Sequence, residues 1–384
     1  RADVLAEPSP EALERAEGDA DRVLLVAGAD DPTRDFCLRQ ADHVVLVAAA
    51  AAEVPVAGAP LAPGADLVLV GTRPIEDVLR TWCLALEPWQ VGIVADGAPR
   101  EDLRMLAARI GGWSVGMVLA GGGARGFAHI GVLQELAAAG ILVDRVAGSS
   151  IGSIVAGAHA TGMDPHAMQE VFYGEFVRGN PIGDYTVPTV ALIKGRRTRS
   201  LLRNHLGGRE IQALPRQFRC LSVDLLGRVE VEHRRGDLAE AVSASVSIPV
   251  LFPPMRHENR LLVDGGVLDN LPVRLLTERD EGPLLAVNIA MGGGGPKSPL
   301  TGPPRMPSMG DTLLRVMMIG SGGAVQAARA RGATVITPPP LGVGTLEWHQ
   351  FDLVVEAGRM AARELLAQTG GQIPGHTTAV IAQE

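Results

Sequence analysis

Residues 116–152 read GMVLAGGGARGFAHIGVLQELAAAGILVDRVAGSSIG, and the order of parts in this stretch decides the fold class. Gly116–Ala120 is a short apolar run and predicts a strand. Gly121–Gly126 is a glycine-rich loop. Phe127–Ala139 has apolar residues at helical spacing and stops at Gly140, a residue suited to the left-handed position that ends many helices. Arg145–Ala147 predicts a second short strand, Gly148–Gly152 a tight turn, and Ile151–Thr161 a second helix. This order of strand, loop, helix, strand, turn and helix predicts an α/β fold with a mainly parallel central sheet and helices on its faces. Further strand candidates are Phe218–Asp224, Leu261–Val263 and Leu284–Ile289.

Upstream lie four short Val-rich runs, Arg22–Ala27, Val44–Ala48, Leu67–Val70 and Val91–Ala95, which read as buried parallel strands. Helical patterns alternate with them at Asp35–Ala41, Pro74–Leu86 and Pro99–Ile110, the last closed by Gly111 and Gly112. Residues 1–112 are therefore expected to form a small open α/β subdomain. It carries no chemical motif, so a packing or regulatory role is expected of it. Residues 113–384 form the second expected domain, with its core at 113–290. A mobile Gly/Pro-rich loop is expected at 292–310, and a C-terminal helix at about 353–367.

Composition narrows the function. The chain of 384 residues is 46% hydrophobic and 20% charged, an ordinary globular balance. Its net charge of −8 leaves no broad basic excess to neutralise phosphates, so no nucleic-acid partner is expected. Only Lys194 and Lys297 are lysines. Cys37, Cys83 and Cys220 lie far apart with no CxxC pattern, so neither a metal site nor a disulfide framework is expected. No cofactor is expected either. The chain opens at Arg1 without a signal-peptide pattern. Val44–Gly64 comes nearest to a membrane span, but Glu53, Pro55, Pro60 and Pro63 interrupt it. These features lead us to expect a cytoplasmic protein with peripheral membrane contact.

Three motifs carry chemistry. Gly148-Ser149-Ser150-Ile151-Gly152 matches G-x-S-x-G. A hydroxyl nucleophile must project from a strained strand-to-helix turn, and its neighbours must be small. A Gly-flanked helix N-cap would give the same pattern. Gly121-Gly122-Gly123-Ala124-Arg125-Gly126 can be read as a dinucleotide fingerprint, with Asp144 as the acidic residue downstream. It can also be read as an oxyanion hole, since consecutive glycines let backbone N–H groups converge. Asp144 lies before the second predicted strand, which is the wrong place for a ribose contact. The third motif is Asp264-Gly265-Gly266 after the apolar run Leu261–Val263. A carboxylate there sits at the edge of the sheet where ligands bind, although Asp-Gly also starts ordinary turns. Of nine histidines, none follows Asp264 in a recognisable active-site turn. His129 reads as a packed helix residue. A serine activated directly by a carboxylate is the simpler assignment, and a conventional Ser-His-Asp esterase is the alternative.

Together GGGARG, GSSIG and DGG resemble the patatin-like phospholipase family. Phe127–Leu136 (FAHIGVLQEL), Ser243–Pro254 (SASVSIPVLFPP) and Asp264–Val273 (DGGVLDNLPV) add to the likeness. The resemblance covers roughly residues 113–290. The upstream α/β segment, with Phe36–Ala48 (FCLRQADHVVLVA), and Phe351–Gly358 (FDLVVEAG) are similar to the bacterial and neuropathy-target-esterase branch. The resemblance implies a patatin-like three-layer fold and hydrolysis of fatty-acyl esters of phospholipids or lysophospholipids. It implies Ser150 as nucleophile, Asp264 as base, and an oxyanion hole from Gly121, Gly122, Gly123, Arg125 and Gly126. Gly148, Gly152, Gly265 and Gly266 would support these groups. Arg125, Arg196, Arg197 and Arg199 are candidates to meet a lipid phosphate, though the last three read more simply as solvated. Members of that branch often carry upstream cyclic-nucleotide-binding domains. None is in this chain, and a start at Arg1 fits their removal.

Overall fold

The computed structural model describes residues 2–28, 31–54, 64–71, 76–95, 97, 100–289, 306, 312, 316 and 322–374. The chain divides into two compact units, Arg1–Gly111 and Gly112–Glu384.

In the first unit β1 (Ala2–Leu5) is followed by α1 (Pro10–Asp19), β2 (Arg22–Leu25), α2 (Arg34–Gln40), β3 (Val45–Ala49), β4 (Asp66–Val70), α3 (Glu76–Leu86), β5 (Val91–Val94) and α4 (Arg100–Gly111). α1 starts where its sequence directs. Ser9 caps it by accepting the Ala12 N–H at 3.2 Å, and Pro10 occupies the first turn. All strand pairs are parallel: β1 with β2, and β3–β4–β5 in a separate sheet. The expectation of four buried strands holds fully only for β4, where Leu67 and Leu69 are buried. β2 and β3 alternate instead, leaving Leu24 46% and Val47 63% exposed. Each has a strand on one side only among the described residues, so one edge meets no neighbour. In β1 Val4 is likewise exposed.

The second unit contains β6 (Val115–Leu119), α5 (Ala128–Ala138), β7 (Val143–Gly148), α6 (Ile151–Ala160), α7 (Pro165–Phe172), α8 (Arg196–Leu206), β8 (Gln217–Asp224), β9 (Val229–His233) and α9 (Leu238–Ser245). After these come β10 (Met255–His257), β11 (Arg260–Asp264), β12 (Leu284–Val287), α10 (Ala324–Ala330), β13 (Thr334–Ile336) and α11 (Phe351–Gln368). One sheet runs β10-β11-β8-β7-β6-β12-β13, with β9 also paired to β8. It is parallel from β8 through β13. β9, β10 and β11 are antiparallel to their neighbours. The fold is thus the mainly parallel α/β arrangement expected. Residues 292–310, read as a mobile loop, fall outside the described residues except Met306.

β6, β7 and β12 are buried along their whole length, the apolar runs of β6 and β12 as expected and β7 with Asp144 and Arg145 buried among its apolar residues. α5 ends at Gly140 with φ +72°, and the Ile141 N–H returns to the Leu136 carbonyl at 2.9 Å. α5 then packs against α11 so closely that a methyl group at Gly131 would lie 2.0 Å from the Val355 carbonyl oxygen. The aromatic rings of Phe127, Phe176, Trp348 and Phe351 close that side of the core.

Candidate active site

The glycine loop leaves the carboxyl end of β6, and the Ser150 turn leaves that of its neighbour β7. β6 has β7 on one side and β12 on the other, so the winding of the chain reverses there. Crevices for ligands form at such reversals, outside the carboxyl ends of the strands.

Ser150 has φ +54° and ψ −129°, a conformation that L-residues rarely adopt. Such strain costs on the order of 1–3 kcal/mol and persists only where neighbours over-determine it. Here they do. The Ser149 N–H donates to the Leu119 carbonyl at 3.2 Å, and the Ser150 N–H donates to Ser245 Oγ at 3.2 Å. Ser153 Oγ donates to the Ser150 carbonyl at 2.6 Å. The flanking glycines are required by contact. A Cβ at Gly148 would sit 2.5 Å from the Gly152 carbonyl carbon, and one at Gly152 would sit 2.1 Å from the Leu119 oxygen. A plain helix N-cap needs neither restriction, and the Ser150 side chain caps no N–H of α6.

Asp264 reaches the same edge from the opposite direction. β11 runs antiparallel to β8, pairing Asp264 with Ser222, two residues beyond the Cys220 that faces Gly148. The carboxyl is 1% exposed. Oδ1 accepts the Gly266 N–H at 2.8 Å, while Oδ2 is buried without a closed hydrogen bond. Burial lifts its pKa from 3.8 to about 7, while the nearby Ser150 hydroxyl and the Gly266 N–H favour the charged form. Serine and carboxylate are therefore neighbours whose hydrogen bond is not drawn tight, as is common before a substrate closes the site. Gly265 touches β8 and Ser149, where a Cβ would meet the Leu221 oxygen at 2.3 Å.

The glycine loop divides by role. The Gly121 N–H is taken by the Asn270 carbonyl at 3.1 Å, and the Ala124 N–H by the Thr345 carbonyl at 2.7 Å. Among the described residues no acceptor takes the N–H of Gly122 or Gly123. Arg125 braces the loop from within, its Nε donating to the Gly122 carbonyl at 3.2 Å. Gly126 makes room for Ile151, whose Cγ2 would lie 2.3 Å from a Cβ there. Sequence reasoning missed Asn270. Buried, it donates from Nδ2 to the Gly121 carbonyl at 3.0 Å and accepts from the same residue's N–H. It thereby clamps the glycine loop to the segment that follows Asp264. Its place in DGGVLDNLPV was legible, but its reach to Gly121 was not.

The competing readings fare differently. Asp144 lies inside β7, not before it, and is buried with the Ser114 hydroxyl donating to it at 3.0 Å. It sits near the amino end of its strand, whereas the glycine loop leaves the carboxyl end of β6. Among the described residues no histidine is hydrogen-bonded to Ser150 or Asp264. His129 is fully buried with Nε2 on the Ala120 carbonyl at 2.9 Å, and burial lowers its pKa to about 4. It ties α5 to the residue before the loop. Among the described residues a Ser–His pair is formed by Ser222 and His233 at 2.7 Å, both buried on the paired strands β8 and β9. Among the described residues no group of three His, Cys, Asp or Glu side chains is placed to hold a metal.

A mainly parallel sheet, a strained serine turn, a buried aspartate facing it and a glycine loop beside both define a patatin-like phospholipase domain, and residues 117–277 match that family model. This domain of the chain belongs to the patatin-like family. The chain is also 37% identical over 390 residues to an uncharacterised NTE family protein of Mycobacterium tuberculosis, a match covering 95% of this chain and 64% of that relative. It is 29% identical over 303 residues to lysophospholipase nte1 of Neosartorya fischeri, covering 72% of this chain and 20% of that protein. A similar lysophospholipase of Candida albicans is 29% identical over 299 residues, with 72% and 22% covered. The chain thus spans just under two thirds of the mycobacterial relative and about a fifth of the fungal ones.

Proposed function

We propose that the protein hydrolyses fatty-acyl esters of phospholipids or lysophospholipids through Ser150 and Asp264. The observation that carries this reading is the strained Ser150 turn beside an aspartate whose burial raises its pKa to about 7. The similar fungal proteins named lysophospholipases support the substrate class. Ionised Asp264 accepts the Ser150 hydroxyl proton as Oγ bonds to the ester carbonyl carbon. The carbonyl electrons move onto oxygen, and the N–H groups of Gly122 and Gly123 stabilise that oxyanion. Collapse breaks the ester C–O bond, and Asp264 returns its proton to the leaving alcohol. Water, deprotonated by Asp264, then releases the fatty acid and restores the serine. Contact with the bilayer that holds such a substrate is part of the same reading. A radiolabelled lysophospholipid assay tests it. Absence of fatty-acid release, together with tight NAD(P) binding, would overturn it in favour of a dinucleotide site.

Two expectations test the glycine loop. Gly122→Ala places a Cβ 2.9 Å from the flexible Cδ1 of Ile289, a contact that side chain can relieve. The added methyl beside an oxyanion donor should lower kcat by about 10²–10³ with little change in KM. A pure KM effect would instead assign the loop to ground-state binding. Asn270→Ala leaves the buried Gly121 carbonyl without its side-chain donor, a loss of roughly 1–3 kcal/mol in stability. As a positioning residue Asn270 should affect kcat more than KM, and Asn270→Asp, which keeps the shape but not the donor, should not rescue it. Thermal melts and steady-state kinetics on the same samples check both effects.

A further inference from the structure

The segment between α7 and α8 doubles back on itself. Tyr185 bridges Ile193 in antiparallel register, the Thr186 N–H donates to the Leu192 carbonyl at 3.0 Å, and the Lys194 N–H donates to the Asp184 carbonyl at 2.9 Å. The base of this hairpin-like loop is firmly held. Ile193 is 1% exposed and packs with Ile248 and Phe252. The Leu192 and Ile193 N–H groups donate to the carbonyls of Val250 and Leu251 at 2.8 and 3.1 Å. Its tip is the reverse. Tyr185 is 70% exposed, Val187 76% and Val190 70%, and the adjoining Val250 is 50% exposed. Val250 also has φ +68°, a genuine outlier for a β-branched residue. The carbonyl of this strained residue anchors the hairpin, whereas a cluster of exposed apolar side chains at its tip gains nothing for the isolated fold.

Charge surrounds this apolar tip. Residues 184–203 hold five cationic side chains against one carboxylate, in a chain whose net charge is −8. Lys194, one of the chain's two lysines, is exposed at the base of the hairpin, with exposed Arg196 and Arg197 just beyond it. The one carboxylate, Asp184, is half-buried, and its Oδ2 accepts the backbone N–H groups of Arg196 and Arg197 at 2.7 and 3.3 Å.

From apolar tip and cationic base together we infer that the hairpin 184–194 with Val250 is a docking element for an anionic lipid bilayer. Apolar side chains enter the acyl boundary while basic ones meet the headgroups. The inference rests on the proposed lipid substrate and deepens it by naming the surface that meets the lipid. The connection to the site is short. The segment 245–252 anchors the hairpin through Val250 and Leu251, accepts the Ser150 N–H at Ser245 Oγ, and accepts the Asp264 N–H at the Ser247 carbonyl at 2.9 Å. A bilayer held at the tip therefore lies against the segment that also holds both candidate site residues.

Co-sedimentation of the full chain tests this with vesicles of phosphatidylcholine alone and of phosphatidylcholine mixed with phosphatidylglycerol. The wild type should bind the anionic vesicles more tightly, and added salt should weaken that binding. Val187→Glu with Val190→Glu should lose about tenfold or more of the vesicle partitioning, and so should Lys194→Glu with Arg197→Glu. Both pairs alter exposed side chains, so melting temperature should stay near wild type. Hydrolysis of a soluble short-chain ester separates the two readings. If ester is cleaved but the variants sediment with vesicles as wild type does, docking at the hairpin is overturned and the hydrolase stands. If the variants lose vesicle binding while no ester is cleaved by any form, docking stands and the hydrolase fails. A change of oligomeric state in the variants without loss of vesicle binding would assign the face to a second copy and overturn the proposal.

Discussion

Ser150→Ala is expected to abolish hydrolysis and covalent labelling by a fluorophosphonate probe while leaving the protein folded. The loss should be on the order of 10⁴ or more, because removing a nucleophile leaves only binding and the oxyanion donors. Folding should survive because the Ser150 hydroxyl has no capping role, and the turn is held instead by its backbone and by Ser153 and Ser245. Ser149→Ala is the matched control. Ser149 Oγ is buried without a partner, so its removal breaks no hydrogen bond. Probe labelling that persists in Ser150→Ala and vanishes in Ser149→Ala would reverse the assignment. Single His→Gln variants should retain substantial activity, with His129→Gln the most affected, since it ties α5 to the carbonyl that precedes the glycine loop.

Asp264→Asn should combine a loss of several orders of magnitude in kcat/KM with a gain in stability. The base is lost, but the shape and the acceptor for the Gly266 N–H remain. In the wild type the folded pKa of about 7 lies above the ordinary value of 3.8. The native state therefore holds its proton more tightly than the unfolded chain. That contribution to stability is fully present below 3.8 and is lost as pH rises through about 7. Above pH 7 the buried charge costs up to about 4 kcal/mol relative to a neutral side chain. Asp264→Asn should accordingly melt several degrees higher than wild type at pH 8, with a smaller gain at pH 5. Melts at the two pH values check the sign, and a stability loss at pH 8 would contradict it. The same pKa sets the activity profile. Wild-type kcat/KM should fall as pH drops through about 7, where a free carboxylate would hold its activity to about pH 4. On the proposed mechanism a buried carboxylate base would thus show the pH profile usual for histidine, and substitution rather than titration distinguishes the two.

Much of this was legible in local pattern. β6, α5, β7 and α6 emerge within a residue or two of their expected limits in the stretch 116–152, because a buried strand and a glycine-ended helix each declare themselves over about ten residues. The turn at Gly148–Gly152 was legible for the same reason, since the contacts that exclude side chains there come mostly from the turn itself and from adjacent β6. The upstream unit was read less well. β1 was missed, and β2 and β3 are more exposed than their Val-rich runs suggested, because burial of a strand depends on what covers it.

The sequence by itself determined the order of strands and helices across residues 116–152 and the tight serine turn at Gly148–Gly152, and it named Ser150 and Asp264 as the candidate pair. These depend on interactions within a turn or an element, where spacing and residue type suffice. Only the tertiary structure decided how the pair meets. Asp264 arrives on an antiparallel strand inside a mainly parallel sheet, and the depth of its burial sets its pKa. Ser245 supports Ser150 from 95 residues away, Asn270 holds Gly121 across 149, and Thr345 contacts Arg125 across 220. No local period encodes such contacts, because each is set by the packing of whole elements against one another.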